Sequence, residues 1–177
     1  MDRVDRLEPH LAADLCAAVR ALARARLSYA VIGANAIILQ GIALPRTTRD
    51  LDLVVVVEGG LDSIRSGLEA EGLRSTRISH RFVASSGTEV DILPLPAEPG
   101  MSIEFSGGGR ISSVGLSESV RHAEEVESGE CTVRVASLPI LAVIKVHTAT
   151  IRRGDRDLPD ALAAMKQFEA HGHGDSR

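Results

Sequence analysis

The chain has 177 residues with 24 acidic and 20 basic side chains, a net charge of −4, and is 44% hydrophobic, which suits one ordinary domain with a real core. The acidic balance excludes a global basic footprint for nucleic acid, and 2% aromatic content with no Trp argues against a base-stacking platform. No apolar run reaches the roughly 20 residues that span a bilayer. The start, "MDRVDRLEPH", lacks a signal-peptide apolar region, so a cytoplasmic location without membrane contact is expected.

Leu11, Leu15, Val19 and Leu22 recur at helical spacing and predict an amphipathic helix over 8–27. "SYAVIG" (28–33) reads as a short buried strand, running into a short helix, "ANAIILQG" (34–41), bounded by Gly33 and Gly41. "DLDLVVVV" (50–57) is a strand by length and β-branched content, broken by Gly59-Gly60. A surface helix is expected over 61–71. "HRFVASS" (80–86) and "EVDILPL" (89–95) flank Gly87 and predict a hairpin.

Residues 96–115, with "PAEPG" and "GGG", read as loops with short strand pieces, and 117–127 as a polar helix. "CTVRVAS" (131–137) alternates as a strand. A helix then opens at Ser137 with a Pro in its first turn and closes on Gly154, and a last helix covers about 156–170. The tail "HGHGDSR" is expected to fray, so its His171 and His173 carry no metal argument. Cys16 and Cys131 form no CxxC or Cys/His cluster and read as buried free thiols. The element order predicts a single α/β (α+β) domain over 1–177 with a mixed sheet, its core at about 28–136 and a helix pair at about 137–170.

The chemistry gathers at Asp50 and Asp52. Residues two apart in a strand share a face, so these carboxylates project together, with Cα atoms roughly 6.6 Å apart, while Leu51 and Leu53 take the other face. Carboxylates this close repel each other, and a divalent cation with a preference for oxygen ligands relieves the repulsion. Asp91, flanked by Val90 and Ile92, points away from its own strand's apolar face. If that strand lies beside 50–57, three carboxylates converge into a clamp for phosphoryl or nucleotidyl transfer. Upstream, Gly33 opens a helix whose backbone N–H groups either hold a phosphate or simply close a tight turn. Lys145 is one of only two lysines, and it sits in the apolar helix "LAVIKVH". A lysine there requires a negative partner or snorkels to water.

Gly33-Ala34, Asp50-Leu51-Asp52 and Asp91 together resemble the polymerase-β-like nucleotidyltransferase superfamily. "VIGANAIILQGIALPRTTRDLDLVV" and "SLPILAVIKVHTATIRRGDRDLPDALAAM" look most like its minimal, AbiEii-type toxin branch. The resemblance covers about residues 29–168. It departs from the pattern at Ala34, where Gly or Ser is usual, and in the 15 residues separating Ala34 from Asp50.

The resemblance implies a nucleotidyltransferase-like mixed sheet flanked by helices, with a C-terminal helix pair. It implies that Asp50 and Asp52 ligate Mg²⁺ or Mn²⁺, and that Asp91 binds the catalytic metal or takes the acceptor's proton. Gly33 and Ala34 would hold the phosphates of an NTP, with Lys145 reaching the triphosphate or the acceptor. Asp157 and Asp160 either pair with Lys145 or begin the last helix, and Arg46 and Arg49 either steady phosphates or neutralise the acids. The activity implied is transfer of NMP to a tRNA, protein or small hydroxylated acceptor, as the toxin of a toxin–antitoxin pair with a cognate antitoxin. The alternative is a non-catalytic nucleotide- or partner-binding module of the same fold.

Overall fold

The structure, a computed structural model, describes residues 7–44, 46–98, 100–105, 109–152 and 157–172. The charged extreme N-terminus, the helix stop at Gly154 and His173 with the rest of the tail lie outside the described residues. Helix α1 (Pro9–Arg24) starts with Pro in its first turn and buries Leu11, Leu15, Val19 and Leu22, the stripe that the helical spacing predicts. Strand β1 (Tyr29–Ile32) is buried along its whole length and feeds helix α2 (Gly33–Leu39). Strand β2 (Asp50–Val56) follows, then a 3₁₀ turn (Leu61–Ser63), helix α3 (Arg65–Ala70) and strands β3 (Arg74–Ser75), β4 (Arg81–Val83) and β5 (Glu89–Leu95). A separate two-stranded ribbon comprises β6 (Ser102–Glu104) and β7 (Arg110–Ser112). The chain continues through α4 (Leu116–Arg121), β8 (Glu124–Ser128), β9 (Cys131–Val135), α5 (Leu138–Arg152) and α6 (Asp157–Gly172).

The main sheet has the order β3-β4-β5-β2-β1-β9-β8 and is mixed. β2 runs parallel to β5 and β1 parallel to β9, and the other pairs are antiparallel. β2 lies at the centre, so its apolar residues are buried: Leu51, Leu53, Val54 and Val55 have no exposed surface, and Val56 at its end is half-buried. A strand covered on both faces needs such a continuous apolar run. The expected 80–95 hairpin is present as β4–β5, and its turn is fastened to α1 by a hydrogen bond from the Ser86 hydroxyl to buried Asp14. α5 and α6 form the expected C-terminal helix pair. Among the described residues, no helix is long and apolar enough to cross a membrane.

Two expectations are corrected. The polar segment 117–127 is not one helix: α4 ends at Arg121, and Glu124–Ser128 is an edge strand paired with β9. "EEVES" alternates with Val126 and Ser128 inward, and a solvated edge tolerates its three glutamates. The cysteines are not free thiols. Cys16 on α1 and Cys131 at the head of β9 form a disulfide across 115 residues, their Cα atoms 5.8 Å apart. Distance along the chain gave no hint that α1 lies across the start of β9.

Candidate functional site

The site is built on the N-terminal ends of β2 and β5. Their parallel register sets Asp50 beside Glu89 and Asp52 beside Asp91, so "DLD" and "EVD" place four carboxylates on one sheet face. Leu51, Val90, Leu53 and Ile92 fill the opposite face with no exposed surface, which fixes the register and aims the acids outward. Asp50 is exposed, and Asp52 and Asp91 are half-buried.

Gly33 abuts this row from the β1 side, where Ile32 pairs with Asp52. Its φ is +75°, and a Cβ built there would lie 2.2 Å from Asp52 Oδ2. Both the left-handed backbone and the close approach therefore require glycine. The start of α2 thus lies directly against the second aspartate. Asn35, 1% exposed, donates from Nδ2 to the Asp50 carbonyl oxygen at 2.6 Å and ties α2 to the first residue of β2. Its Oδ1 is buried with no hydrogen-bond partner among the described residues. Thr48 Oγ1 donates to Asp50 Oδ1 at 3.1 Å and restrains that carboxylate.

On the other side, Arg81 pairs in register with Asp91. Its Nε and Nη2 donate to Asp91 Oδ1 and Oδ2 at 2.7 and 2.8 Å, and Nη1 lies 2.7 Å from Glu89 Oε2. One guanidinium therefore spans both acids of β5. The hydrogen bond to Asp91 is the main cause of a raised Arg81 pKa, so this side chain stays cationic. Next to it, His80 stacks on Phe105 with ring centroids 4.2 Å apart, and its Nδ1 is buried without a partner among the described residues. Burial lowers the His80 pKa.

A second cluster joins the loop before β2 to the helix pair. Lys145 Nζ donates to Asp157 Oδ1 at 2.8 Å and lies 3.1 Å from Asp160 Oδ2. Arg46 Nη2 donates to the same Asp160 oxygen at 2.6 Å, which raises the Arg46 pKa. Asp160 is 1% exposed and Lys145 9%. The buried lysine thus has the acidic partners it requires. Arg49 stands apart and exposed. It lines a cleft of about 400 Å³ with Glu8, His10, Thr47, Ser86, Gly87 and Thr88, beside the heads of β2 and β5.

The expected site residues thus fall into three places. Asp50, Asp52 and Asp91 share the acid face, with Gly33 against Asp52 and Ala34 buried behind it in α2. Arg46, Lys145, Asp157 and Asp160 form the ion-pair cluster, and Arg49 borders the cleft. Glu89, Arg81, Asn35 and Thr48 were not foreseen. Glu89 was legible, because E-x-D repeats the spacing of D-x-D. Arg81 becomes visible only when the hairpin register sets it opposite Asp91.

The donor set of Asp50 and Asp52 is all oxygen, one acid held by Thr48 and the other set against the glycine turn. That suits a hard divalent cation. Asp91 fits less well, since both its oxygens accept from Arg81. Among the described residues no group of three or more acids, histidines or cysteines is placed to hold a metal ion.

This mixed sheet, with the glycine-led α2 after β1 and a helix pair at the C-terminus, is the nucleotidyltransferase fold. Solved structures of that class superpose along most of the chain. ANT(2″)-Ia in complex with adenylyl-2″-tobramycin matches at TM-score 0.56 and 15% identity, over 92% of this chain and 92% of that one. The lincosamide antibiotic adenylyltransferase LnuA, bound to lincomycin, matches at 0.54 and 12%, over 90% and 99%. A Thermotoga maritima protein proposed to be a nucleotidyltransferase matches at 0.57 and 18%, over 83% and 89%. At these identities the likeness speaks for the fold. No protein-family model matches the chain, and no curated protein matches it.

Proposed function

We propose that this chain transfers a nucleoside monophosphate from an NTP to a hydroxyl group of a small molecule, with Mg²⁺ or Mn²⁺ held on Asp50 and Asp52. The observation that carries this reading is the D-x-D pair at the head of a sealed central strand, with Gly33 and the start of α2 set against Asp52. A bound divalent ion supplies neutralisation of phosphate charge and polarisation of the α-phosphoryl group.

The protein's own residues do the positioning. Backbone N–H groups at Gly33 and Ala34 face the phosphates, without the hydroxyl that a Ser at 34 would add. Arg49 presents a guanidinium to substrate at the cleft. Arg46 and Lys145 hold the helix pair against the loop before β2 through Asp157 and Asp160, and any phosphate contact they make is shared with those acids. The acceptor oxygen forms a bond to the α-phosphorus in line with the departing pyrophosphate. The α–β phosphoanhydride bond breaks, and the acceptor's proton leaves to a carboxylate or water.

A small acceptor is favoured on two grounds. Two fold neighbours are named for complexes with small molecules, adenylyl-2″-tobramycin and lincomycin. The chain, at net charge −4, also carries no global basic footprint of the kind that binds a polyanion such as tRNA. The test is incubation with Mg²⁺ and each α-labelled NTP against a panel of aminoglycosides, lincosamides, total RNA and protein lysate. Label on a small molecule supports the proposal. Label on RNA or protein moves the reading to a macromolecular acceptor and to a toxin with an antitoxin partner. A non-catalytic nucleotide-binding module is the second reading, favoured by Arg81's hold on Asp91 and by Ala34. It is the account left standing if no acceptor is labelled while NTP still binds.

A further inference from the structure

Arg81 reaches both acids of β5. It does so from an adjacent strand, in register, with three of its nitrogens committed. Its side chain is 28% exposed and that of Asp91 14%, so the pair is screened from solvent more than a surface ion pair is. Both Asp91 oxygens already accept hydrogen bonds, and a fixed positive charge lies beside them. A divalent cation approaching Asp91 meets that charge at close range and must displace or share its donors.

We propose that Arg81 is a built-in cation of the acid face: it takes the place of a second metal ion at Asp91 and Glu89, so that this chain binds a single divalent ion, on Asp50 and Asp52. The inference rests on the nucleotidyltransferase reading of the D-x-D pair. On this account Asp91 is a positioning residue, not a metal ligand. It orients the Arg81 fork, and Arg81 offers its charge at the place where negative charge gathers during phosphoryl transfer. A guanidinium on a strand delivers that charge in fixed geometry, without a binding equilibrium.

Mn²⁺ alone, titrated into the purified full chain and followed by electron paramagnetic resonance, tests this without reference to activity. The parent is expected to bind one ion. Arg81→Met should bind two, because it unmasks Asp91 and Glu89. The charge-neutral double variant Arg81→Met/Asp91→Asn removes the pair together, a replacement that folded proteins often tolerate, and should bind one ion with parent-like affinity. Circular dichroism confirms that each variant is folded, and the double variant carries the test if the single one is not.

Two ions on the parent would overturn the proposal and leave the transferase reading standing. So would an affinity loss of about tenfold or more in the double variant, the size expected when a ligand or its support is removed. An unchanged single ion on folded Arg81→Met overturns it as well. Absence of Mn²⁺ binding by parent and variants alike overturns the Asp50/Asp52 metal site itself, and this proposal with it.

Discussion

At the scale of single residues, Gly33 links backbone shape to the acid face most tightly. Any side chain there must move Asp52, since its first carbon would sit 2.2 Å from the carboxylate. Gly33→Ala is therefore expected to lose transfer activity more sharply than thermal stability, the strain itself costing on the order of 1–3 kcal/mol. Unchanged transfer with unchanged melting would show that Asp52 needs no such approach. Lys145 makes the opposite prediction. Its removal leaves the buried Asp160 with Arg46 as its cation among the described residues, so Lys145→Ala should cost on the order of 1–3 kcal/mol of stability. Loss of NTP binding at an unchanged melting temperature would instead make Lys145 a phosphate contact.

His80 carries a pH dependence whose sign is set by burial. Desolvation pulls its pKa below the ordinary 6.5, Asp91 opposes this, and Arg81 adds to it. As pH falls the unfolded chain takes the proton first. Stability from this residue is full above 6.5 and is lost as pH drops from there through the folded value. Melting curves between about pH 7 and pH 5 should flatten in His80→Phe, which keeps the stack on Phe105 and removes the titration. An identical acid-side slope in both proteins would contradict the assignment.

At the scale of elements, what could be read from the sequence was what alternation and run length encode. The valine run marked β2 as buried, D-x-D marked its exposed head, and the 80–95 hairpin followed from two strand-like runs around Gly87. Alternation within a strand does not encode which strand lies beside it, and the adjacency of β2 and β5 is supplied by the sheet. Arg81 was not legible as a site residue, because its role depends on which residue lies opposite across a hairpin. The edge strand β8 was hidden for a related reason: its glutamates suit a solvated helix as well as a solvated strand, and only pairing with β9 decides. Val55, with no exposed surface at the centre of β2, tests the mounting role of this strand. Val55→Ala should cost on the order of 1–3 kcal/mol from lost burial and a cavity, with the folded fraction still active.

At the scale of the whole molecule, the Cys16–Cys131 disulfide is the feature that sequence position concealed most completely. It ties the first helix to the strand before the C-terminal helix pair and closes a loop of 115 residues. Restricting the unfolded chain over such a loop is worth about 4–5 kcal/mol in the chain-entropy account. Reduction, or Cys131→Ser, should therefore lower the melting temperature by several degrees, and an unchanged melting curve under reductant would contradict the pairing. A disulfide persists in oxidising surroundings and a reducing compartment keeps such thiols apart, so the redox state of the protein recovered from cells bears on the cytoplasmic expectation.

The central claim is that the acids at the head of β2 perform nucleotide transfer while the strand behind them performs the folding. The most direct measurement compares the parent with Asp52→Asn, using α-labelled NTP, Mg²⁺ and the acceptor panel, alongside the melting temperature of each. The account predicts label transfer by the parent, a loss of at least about 10²-fold in Asp52→Asn, and a melting temperature close to the parent's. Full transfer by Asp52→Asn, or none by the parent with any NTP and acceptor, would contradict it.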